Sequence, residues 1–273
     1  MDLNLKMKLK RIPNIKMMIN KRNPFYRAVM LASLSAASIA FLSCASTAQQ
    51  QVKGEKWKPL FDGKTLTGWK TLGGKAPYKV EDGAVVGTMT KGTPNSFLVT
   101  EAEYGDFILE LDVKLEGTAT NSGIQTRSHY DASANKGKGR VYGRQVDIDP
   151  SPRAWTGGIY DEARRGWIYP LDLNKEAKSA YKQDAYNHIR IEAIGDEMKT
   201  WVNGVPVAYV VDTVDSKGFI ALQVHSIPDN LDGKKVYFKN VRIQTEGLKA
   251  TAFPKDKYIV NLKPNQLSEA EKD

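Results

Sequence analysis

The chain has one cysteine and three histidines among its 273 residues. With Cys44 alone, no disulfide can form within the chain, so the fold must depend on its own core. The sequence also lacks the His and Cys spacing of zinc sites and the acidic loop of an EF-hand. It therefore requires no cofactor, although carboxylate and amide oxygens leave room for a divalent metal ion.

Acidic residues are scarce in the first 43 positions, which contain eight Lys or Arg and only Asp2. This stretch accounts for a net seven of the nine formal positive charges, and the rest of the chain is nearly neutral. Because nucleic-acid affinity rests on a basic footprint, nucleic acid is not expected as a partner.

The longest apolar stretch, residues 28–42, is too short and too rich in Ser for a membrane span. It follows a basic region and ends before Cys44, at the position where a bacterial lipoprotein is acylated. The pattern predicts a signal peptide over residues 1–43 and lipid attachment to Cys44, and the alternative is an ordinary signal peptide with an incidental Cys. We expect a protein on the periplasmic side of the cell envelope that contacts a membrane only through this anchor.

The remaining chain divides by composition into three parts. Residues 44–56 are rich in Ser, Thr, Gln and Ala, which is typical of a flexible tether. Residues 57–247 form the predicted domain, and residues 248–273 form a C-terminal tail. The domain contains no internal repeat.

Helical patterns are almost absent from the domain, since only residues 174–183 favour a helix. Alternating apolar and polar residues predict strands over 106–115, 188–193, 218–225 and 235–245. Asn203-Gly204 predicts a hairpin between two further strands. Many short strands without intervening helices exclude a parallel α/β fold and predict an all-β antiparallel β-sandwich.

Alternating residues also predict strands over 122–129 and 144–149, and these two runs and the run 218–225 would turn polar side chains to one face of a sheet. The three sets are Gln145, Asp147 and Asp149; Gln125, Arg127 and His129; and Gln223 and His225. Exposed strands often have one polar face, but the use of two of the three His with Gln and Asp favours a site for a hydroxyl-rich ligand.

The residue types of this face suit proton transfer. Asp147 and Asp149 have the spacing of paired carboxylates in glycoside hydrolases, although such a pair could also bind a metal. His225 could give or take a proton, and Arg127 could stabilise an oxyanion or form a salt bridge to Asp147. We therefore take Asp147, His225, Arg127 and Gln145 as candidate catalytic residues, with Asp149, His129, Gln125 and Gln223 as substrate-binding residues.

Residues 154–167 form a second dense group of aromatic and charged side chains in a glycine-punctuated segment. Aromatic faces with charged neighbours are typical of carbohydrate subsites, and the alternative is a long loop fixed by packing and ion pairs. The candidate substrate-binding residues here are Trp155, Tyr160, Asp161, Glu162, Arg164 and Trp167.

The run LFDGKTLTGW at residues 60–69 resembles the start of the bacterial 3-keto-disaccharide hydrolase domain family. The similarity continues in the same order over residues 121–128, 158–160, 201–205, 218–225 and 236–243. Many members have Glu-x-Gln-x-Asp where this chain has Gln145-x-Asp147-x-Asp149. The base could have moved to Asp147, or the substrate could have changed.

The resemblance implies a concanavalin-like, laminin-G-type jelly roll with its site on a concave polar sheet. It implies action on 3-keto-glycosides that a partner sugar 3-oxidoreductase supplies. We expect removal of the C2 proton and loss of the C1 substituent, with Asp147 and His225 as base and acid in either order and Arg127 or His129 near the enolate oxygen. The alternatives are a conventional glycosidase and a non-catalytic sugar-binding lipoprotein.

Overall fold

The computed structural model describes residues 56–262. The predicted signal peptide, Cys44, the tether up to residue 55 and residues 263–273 lie outside the described residues, so lipid attachment stays a prediction. Within residues 56–262, no helix is long and apolar enough to cross a membrane.

The described chain forms strands that are joined by turns and short 3₁₀ segments. The 3₁₀ segments are Leu171–Leu173, Lys175–Ser179 and Asp229–Leu231, and a single helical turn covers Ala134–Gly137. The strands are β1 Trp57–Pro59, β2 Trp69–Gly73, β3 Tyr78–Glu81, β4 Ala84–Thr88, β5 Ser96–Tyr104, β6 Phe107–Leu115, β7 Ser122–Asp131, β8 Arg140–Ile148, β9 Ile159–Glu162, β10 Gly166–Tyr169, β11 Asn187–Ile194, β12 Glu197–Val202, β13 Val205–Val211, β14 Gly218–Val224, β15 Lys235–Gln244 and β16 Val260–Asn261.

The strands form two sheets. The nine-stranded sheet has the order β16-β13-β12-β11-β6-β15-β4-β3, with β1 paired to β15. The seven-stranded sheet has the order β10-β9-β8-β7-β14-β5-β2. All pairs are antiparallel except β13 with β16, so the predicted all-β sandwich is confirmed.

The main core lies between the two sheets and follows from the period of two along each strand. Leu109, Leu111 and Val113 of β6 point inward from the nine-stranded sheet, and Val146 and Ile148 of β8 point inward from the other. All five are fully buried. Because these inner residues alternate with outer ones, the core determines which side chains of β8 face outward.

The hairpin at Asn203-Gly204 is confirmed, since β12 pairs with β13 across it. The helix predicted over residues 174–183 is wrong, because the structure has only a 3₁₀ segment there. The Asn174 side chain donates hydrogen bonds to the carbonyls of Pro206 and Val207 on β13. A segment this short gains little from an isolated helix, and its contacts with the sheet determine its conformation.

The chain after residue 247 continues along the sandwich. Phe253 makes edge-to-face contacts with Trp201 and Tyr209, with ring centroids 5.8 and 5.4 Å apart. Thr251 donates its backbone N–H to Glu192. The first half of the predicted tail, up to the end of β16, therefore packs on the nine-stranded sheet.

Arg127 departs from the face that the sequence predicted for it. The pairing of β7 with β8 shifts between Thr126 and His129, and Arg127 has a φ of 46°. The guanidinium is 2% exposed and donates to the carbonyls of Gly105, Ala193 and Gly195 and to Asp106. These contacts join two turns of the sandwich, so the predicted place of Arg127 beside Asp147 is wrong.

Replacing Arg127 with Met should lower the free energy of unfolding by about 3–5 kcal/mol, because it leaves buried carbonyls without donors. Urea denaturation would measure the change. Arg140→Met is the matched control, since Arg140 is exposed and forms no ion pair within residues 56–262. Equal stability of both variants would contradict the structural role of Arg127.

Candidate active site

The outer face of the seven-stranded sheet brings together polar side chains from its central strands. Gln145 and Asp147 point outward from β8 because Val146 and Ile148 are in the core. In the neighbouring strand β7, Gly123 lies opposite Asp147 and Gln125 lies opposite Gln145.

Gly123 makes space for the Gln145 side chain. A Cβ atom at this position would lie 2.2 Å from Cδ of Gln145, so any larger residue would displace that amide. Gln145 accepts a hydrogen bond of 2.8 Å from Gln125, whose own oxygen accepts one of 2.6 Å from Ser128. This chain of hydrogen bonds fixes the amide next to Asp147.

Asp147 is a buried carboxylate with weak partners. It is 4% exposed, and its contacts are amide nitrogens of Asn121 and Gln145 at 3.4 Å and Nη2 of Arg153 at 3.7 Å. Burial, followed by the charge of Asp149, raises the pKa of Asp147 to about 7. A carboxyl group with this pKa exchanges protons readily near neutral pH.

Asp149 is buried as well but has strong partners. One oxygen accepts the backbone N–H of Ser151 at 3.1 Å, and the other accepts Nε of Arg153 at 2.7 Å. Burial opposes ionisation, but these hydrogen bonds outweigh it and lower the pKa of Asp149. Asp149 therefore stays ionised and holds Arg153 over the site.

Three aromatic rings adjoin the two aspartates. Tyr160 lies opposite Gln145 and Trp167 lies opposite Tyr160 in the strand order. The rings of Tyr160 and Trp167 are 5.2 Å apart, those of Trp167 and Trp155 are 4.6 Å apart, and the Arg153 guanidinium lies over both Trp rings. All three rings are half-buried, and this aromatic group has the character of a sugar-binding surface.

A second acidic group lies near the same strands. Glu162 accepts a hydrogen bond of 3.3 Å from Asn95, and His225 and Arg140 are close enough to influence its charge. Burial raises the pKa of Glu162, and this effect outweighs the influence of Asn95, His225 and Arg140, each of which lowers the pKa. Tyr160 lies opposite Gln145 and Glu162 lies opposite Gly143, so the strand register places Tyr160 between Glu162 and Asp147. Burial, followed by the charge of Glu162, raises the pKa of Tyr160.

Gln223 is the buried polar residue of this face that lacks partners. It follows Leu222, which pairs with Ile124, and so lies beside Gly123 in the sheet. Gln223 is fully buried, and neither the nitrogen nor the oxygen of its side-chain amide has a hydrogen-bond partner within the described chain. An unpaired buried amide costs free energy, and a bound polar ligand or water would satisfy it.

His129, Asp161 and Arg164 belong to a different cluster. His129 lies 3.0 Å from Asp215, and Arg164 binds both Asp215 and Asp161. Asp161 is fully buried and also pairs with Arg165, because position 161 points to the Arg144 side of β9. These three residues form ion pairs at the β9–β10 hairpin, apart from the polar group around Asp147, and their substrate-binding roles stay predictions.

A cleft of about 1180 Å³ lies on this sheet beside Glu162. Phe97 and Val141 belong to its lining and to a small apolar cluster with Val99, Phe219 and Ala221. The outer face is thus polar around Asp147 and apolar towards β5.

Within residues 56–262, no group of three or more His, Cys, Asp or Glu side chains is arranged to hold a metal ion.

Four residues near the site were not predicted from the sequence: Asn95, Asn121, Arg140 and Arg153. Asn121 immediately precedes β7, and its proximity to Asp147 follows from strand register. Arg153 is four residues after Asp149, a spacing that suits the ion pair seen here. Asn95 immediately precedes β5 and Arg140 is the first residue of β8, and no sequence pattern connects either of them to Glu162.

Solved structures share the fold. A candidate glycosyl hydrolase from Parabacteroides distasonis has 21% identity and a TM-score of 0.50, and the match covers 73% of this chain and 97% of that one. A Bacillus subtilis protein of unknown function with a galectin-like fold has 11% identity and a TM-score of 0.50, and the match covers 70% of this chain and 94% of that one. No curated protein matches the chain significantly. The fold class is therefore the galectin-like or concanavalin-like β-sandwich.

The family model of 3-keto-alpha-glucoside-1,2-lyase-like domains matches residues 56–244. The fold and this match together define a carbohydrate-acting β-sandwich protein. The chain belongs to the family of 3-keto-alpha-glucoside-1,2-lyase-like domains, as its sequence resemblance predicted.

Asp147 should make the stability of the fold depend on pH. Its pKa is about 7 in the folded state and about 3.9 in an unfolded chain. The folded state therefore keeps a proton that the unfolded chain releases, and stability present below pH 4 is lost as the pH rises towards 7. The three-unit shift corresponds to on the order of 4 kcal/mol.

Asp147→Asn should remove this dependence. Relative to the wild type, the variant should gain stability by on the order of 4 kcal/mol between pH 4 and pH 8, measured by urea denaturation. Asp82→Asn is the control, since Asp82 is exposed and its φ of 49° suits Asn equally well. Parallel pH profiles of the wild type and Asp147→Asn would show that the pKa of Asp147 is not raised.

Proposed function

We propose that the protein cleaves 3-keto-glycosides, including 3-keto-disaccharides, by elimination. The ketone at C3 acidifies the C2 proton, a base removes it, and the electrons of the resulting enolate expel the C1 substituent. The product is an unsaturated keto sugar, to which water could then add, so that the overall reaction is hydrolysis. The proposal rests on one observation, the buried carboxyl group of Asp147 with its raised pKa.

Asp147 is the base in this scheme. A carboxyl group with a pKa near 7 is a stronger base than an exposed Asp, and it is still ionised in about half of the molecules at neutral pH. Its partners are long hydrogen bonds from neutral amides, so it can accept a proton without losing a strong ion pair. Asn121 and Gln145 orient the carboxylate.

The enolate oxygen needs hydrogen-bond donors or a cation. Arg127 donates to buried carbonyls and His129 contacts Asp215, so neither is free for this role. Arg153 and Gln223 are the proposed donors to the enolate oxygen. Arg153 lies 3.7 Å from Asp147, and its side chain is 43% exposed to the open side of the site. Gln223 offers a buried amide without a partner, on the other side of Gly123.

Departure of the C1 substituent requires a proton for its oxygen. Glu162 and His225 are the candidate acids, since Glu162 has a raised pKa and His225 is close to it. Tyr160 lies between this pair and Asp147, and with Trp167 it offers aromatic rings for the sugar. Asp149 supports the site by holding Arg153 rather than by contacting the substrate.

The elimination transfers no electrons to or from the sugar, so it needs no redox cofactor. The oxidation at C3 belongs to a preceding step, which a sugar 3-oxidoreductase would perform. The conventional glycosidase is less well supported, because Asp149 is held in an ion pair and the Asp147–Asp149 pair is then not free to act as nucleophile and acid.

The proposal is tested with a glucoside and its 3-keto form. The wild type should cleave the 3-keto form and leave the plain glucoside intact, because only the ketone acidifies the C2 proton. Asp147→Asn should lower kcat by about 100-fold or more, as expected on removal of a general base. Chromatography of the products would measure both rates, and Asp82→Asn serves as the control.

The rate should also follow the ionisation of Asp147. In the wild type, kcat/KM for the 3-keto substrate should fall as the pH drops below about 7, because a protonated carboxyl cannot act as a base. Comparable cleavage of the plain glucoside, or near-normal turnover by Asp147→Asn, would refute the proposed function.

A further inference from the structure

The cleft beside Glu162 has walls of one charge. One wall is the end of the β7–β8 hairpin, with Lys136, Lys138 and Arg140, and the other consists of loops with Lys75 and Lys91. Glu162 is the acidic residue in the lining, and it accepts the hydrogen bond from Asn95 at one end of the cleft. The lining of the cleft therefore contains five cations and one carboxyl group.

These cations lack acidic partners in the described part of the chain. Lys75, Lys91, Lys136, Lys138 and Arg140 are exposed and form no ion pair within residues 56–262. Some other basic residues are paired, for example Lys178 with Asp172 and Lys235 with Glu81.

The nearby acids are engaged locally. Asp131 accepts hydrogen bonds from Ser133, and Asp232 accepts the backbone N–H of Lys91. Neither of these two acids lines the cleft.

Cations that face each other across a cleft repel one another, and an anion between them removes the repulsion. A cleft with walls of one sign also concentrates ions of the opposite sign. Solvated surface cations need not lie on the same side of a protein. These five cations come from three separate segments of the chain and nevertheless line one cleft. Its volume of about 1180 Å³ accommodates more than one sugar ring.

The cleft lies next to the proposed catalytic groups. Glu162 and Ser226 line it, and His225 immediately precedes Ser226. A sugar ring between Asp147 and Tyr160 would therefore direct its C1 substituent past Glu162 into the cleft. The apolar side chains of Phe97 and Val141 would contact a ring in this substituent, while the cations lie at the walls.

We propose that the preferred substrate carries an anionic group, such as a carboxylate, sulfate or phosphate, on the substituent that leaves from C1. The cationic walls of the cleft, above all Lys136, Lys138 and Arg140, bind this group and determine specificity. This inference rests on the proposed function, since it assigns the cleft to the leaving group of that reaction.

The test compares the 4-methylphenyl and 4-carboxyphenyl glycosides of 3-keto-glucose, which differ in charge but little in size. Calorimetry with Asp147→Asn measures binding without turnover. The carboxylated ligand should bind about tenfold tighter at low salt, and the preference should shrink to about twofold in 0.5 M NaCl. The 4-sulfophenyl and 4-phosphophenyl glycosides identify which anion fits best.

The cleft is tested with Lys136→Gln/Lys138→Gln in the same background, which should reduce the preference at least threefold. Lys64→Gln/Lys79→Gln is the matched control, because it removes the same charge from exposed positions that do not line the cleft. Equal affinity for the two ligands, no binding of the carboxylated one, or an unchanged preference in the cleft variant would overturn the inference.

Turnover separates this inference from the proposed function. Cleavage of the neutral 3-keto-glycoside without any preference for the anionic ligand would refute the inference alone. A charge preference that depends on Lys136 and Lys138, without cleavage of either ligand, would refute the proposed function and leave the anion site standing.

Discussion

The packing of Val146 and Ile148 between the two sheets is the constraint on which the candidate site depends. Side chains on a strand alternate, so burying these two residues forces Gln145 and Asp147 onto the outer face. A slip of one residue in the register of β8 would place the carboxylate in the core. The main core therefore positions the chemistry as well as stabilising the sandwich.

The two aspartates of this strand show how local partners determine the state of a buried carboxyl group. Asp147 and Asp149 are about equally buried, yet their pKa values shift in opposite directions. Asp149 receives a backbone N–H and a guanidinium at hydrogen-bond distance, whereas Asp147 receives only longer contacts from amides and from Arg153. Because Asp149 holds Arg153, that cation cannot fully neutralise Asp147, and the unfavourable burial of Asp147 is retained where a base is useful.

Sequence periodicity was sufficient for some of the strands, because alternation of apolar and polar residues reports directly on a buried face. It predicted β6, β11, β14 and β15, the hairpin at Asn203-Gly204 and the outward direction of Gln145 and Asp147. It failed at Arg127, where a non-glycine residue with positive φ breaks the period of β7. No local pattern marks such a bulge, since the buried carbonyls that stabilise it come from residues 105, 193 and 195.

Long-range ion pairs separate three other candidate residues from the polar group around Asp147. His129, Asp161 and Arg164 looked like ligand-binding residues, but Asp215 from a distant loop pairs with two of them. In the same way, the loops that line the cleft meet only in the folded molecule. Composition could not predict the ion pairs with Asp215 or the cations that line the cleft, because both depend on which charged side chains are neighbours in the folded chain.

The chain after residue 43 is nearly neutral as a whole, but its paired acids and its unpaired cations lie in different regions of the surface. Many of its acids are used in ion pairs on the nine-stranded sheet and at the β9–β10 hairpin, for example Glu110 with Arg190 and Arg242. The cations that remain unpaired are then free to gather elsewhere, and five of them line the cleft beside Glu162. A protein with little net charge can thus present a strongly basic cavity, since the local field depends on unpaired charges rather than on the total. The same distribution places amides beside Asp147 and cations in the lining of the cleft, so the proposed proton abstraction and the proposed recognition of charge belong to adjacent but separate parts of one sheet.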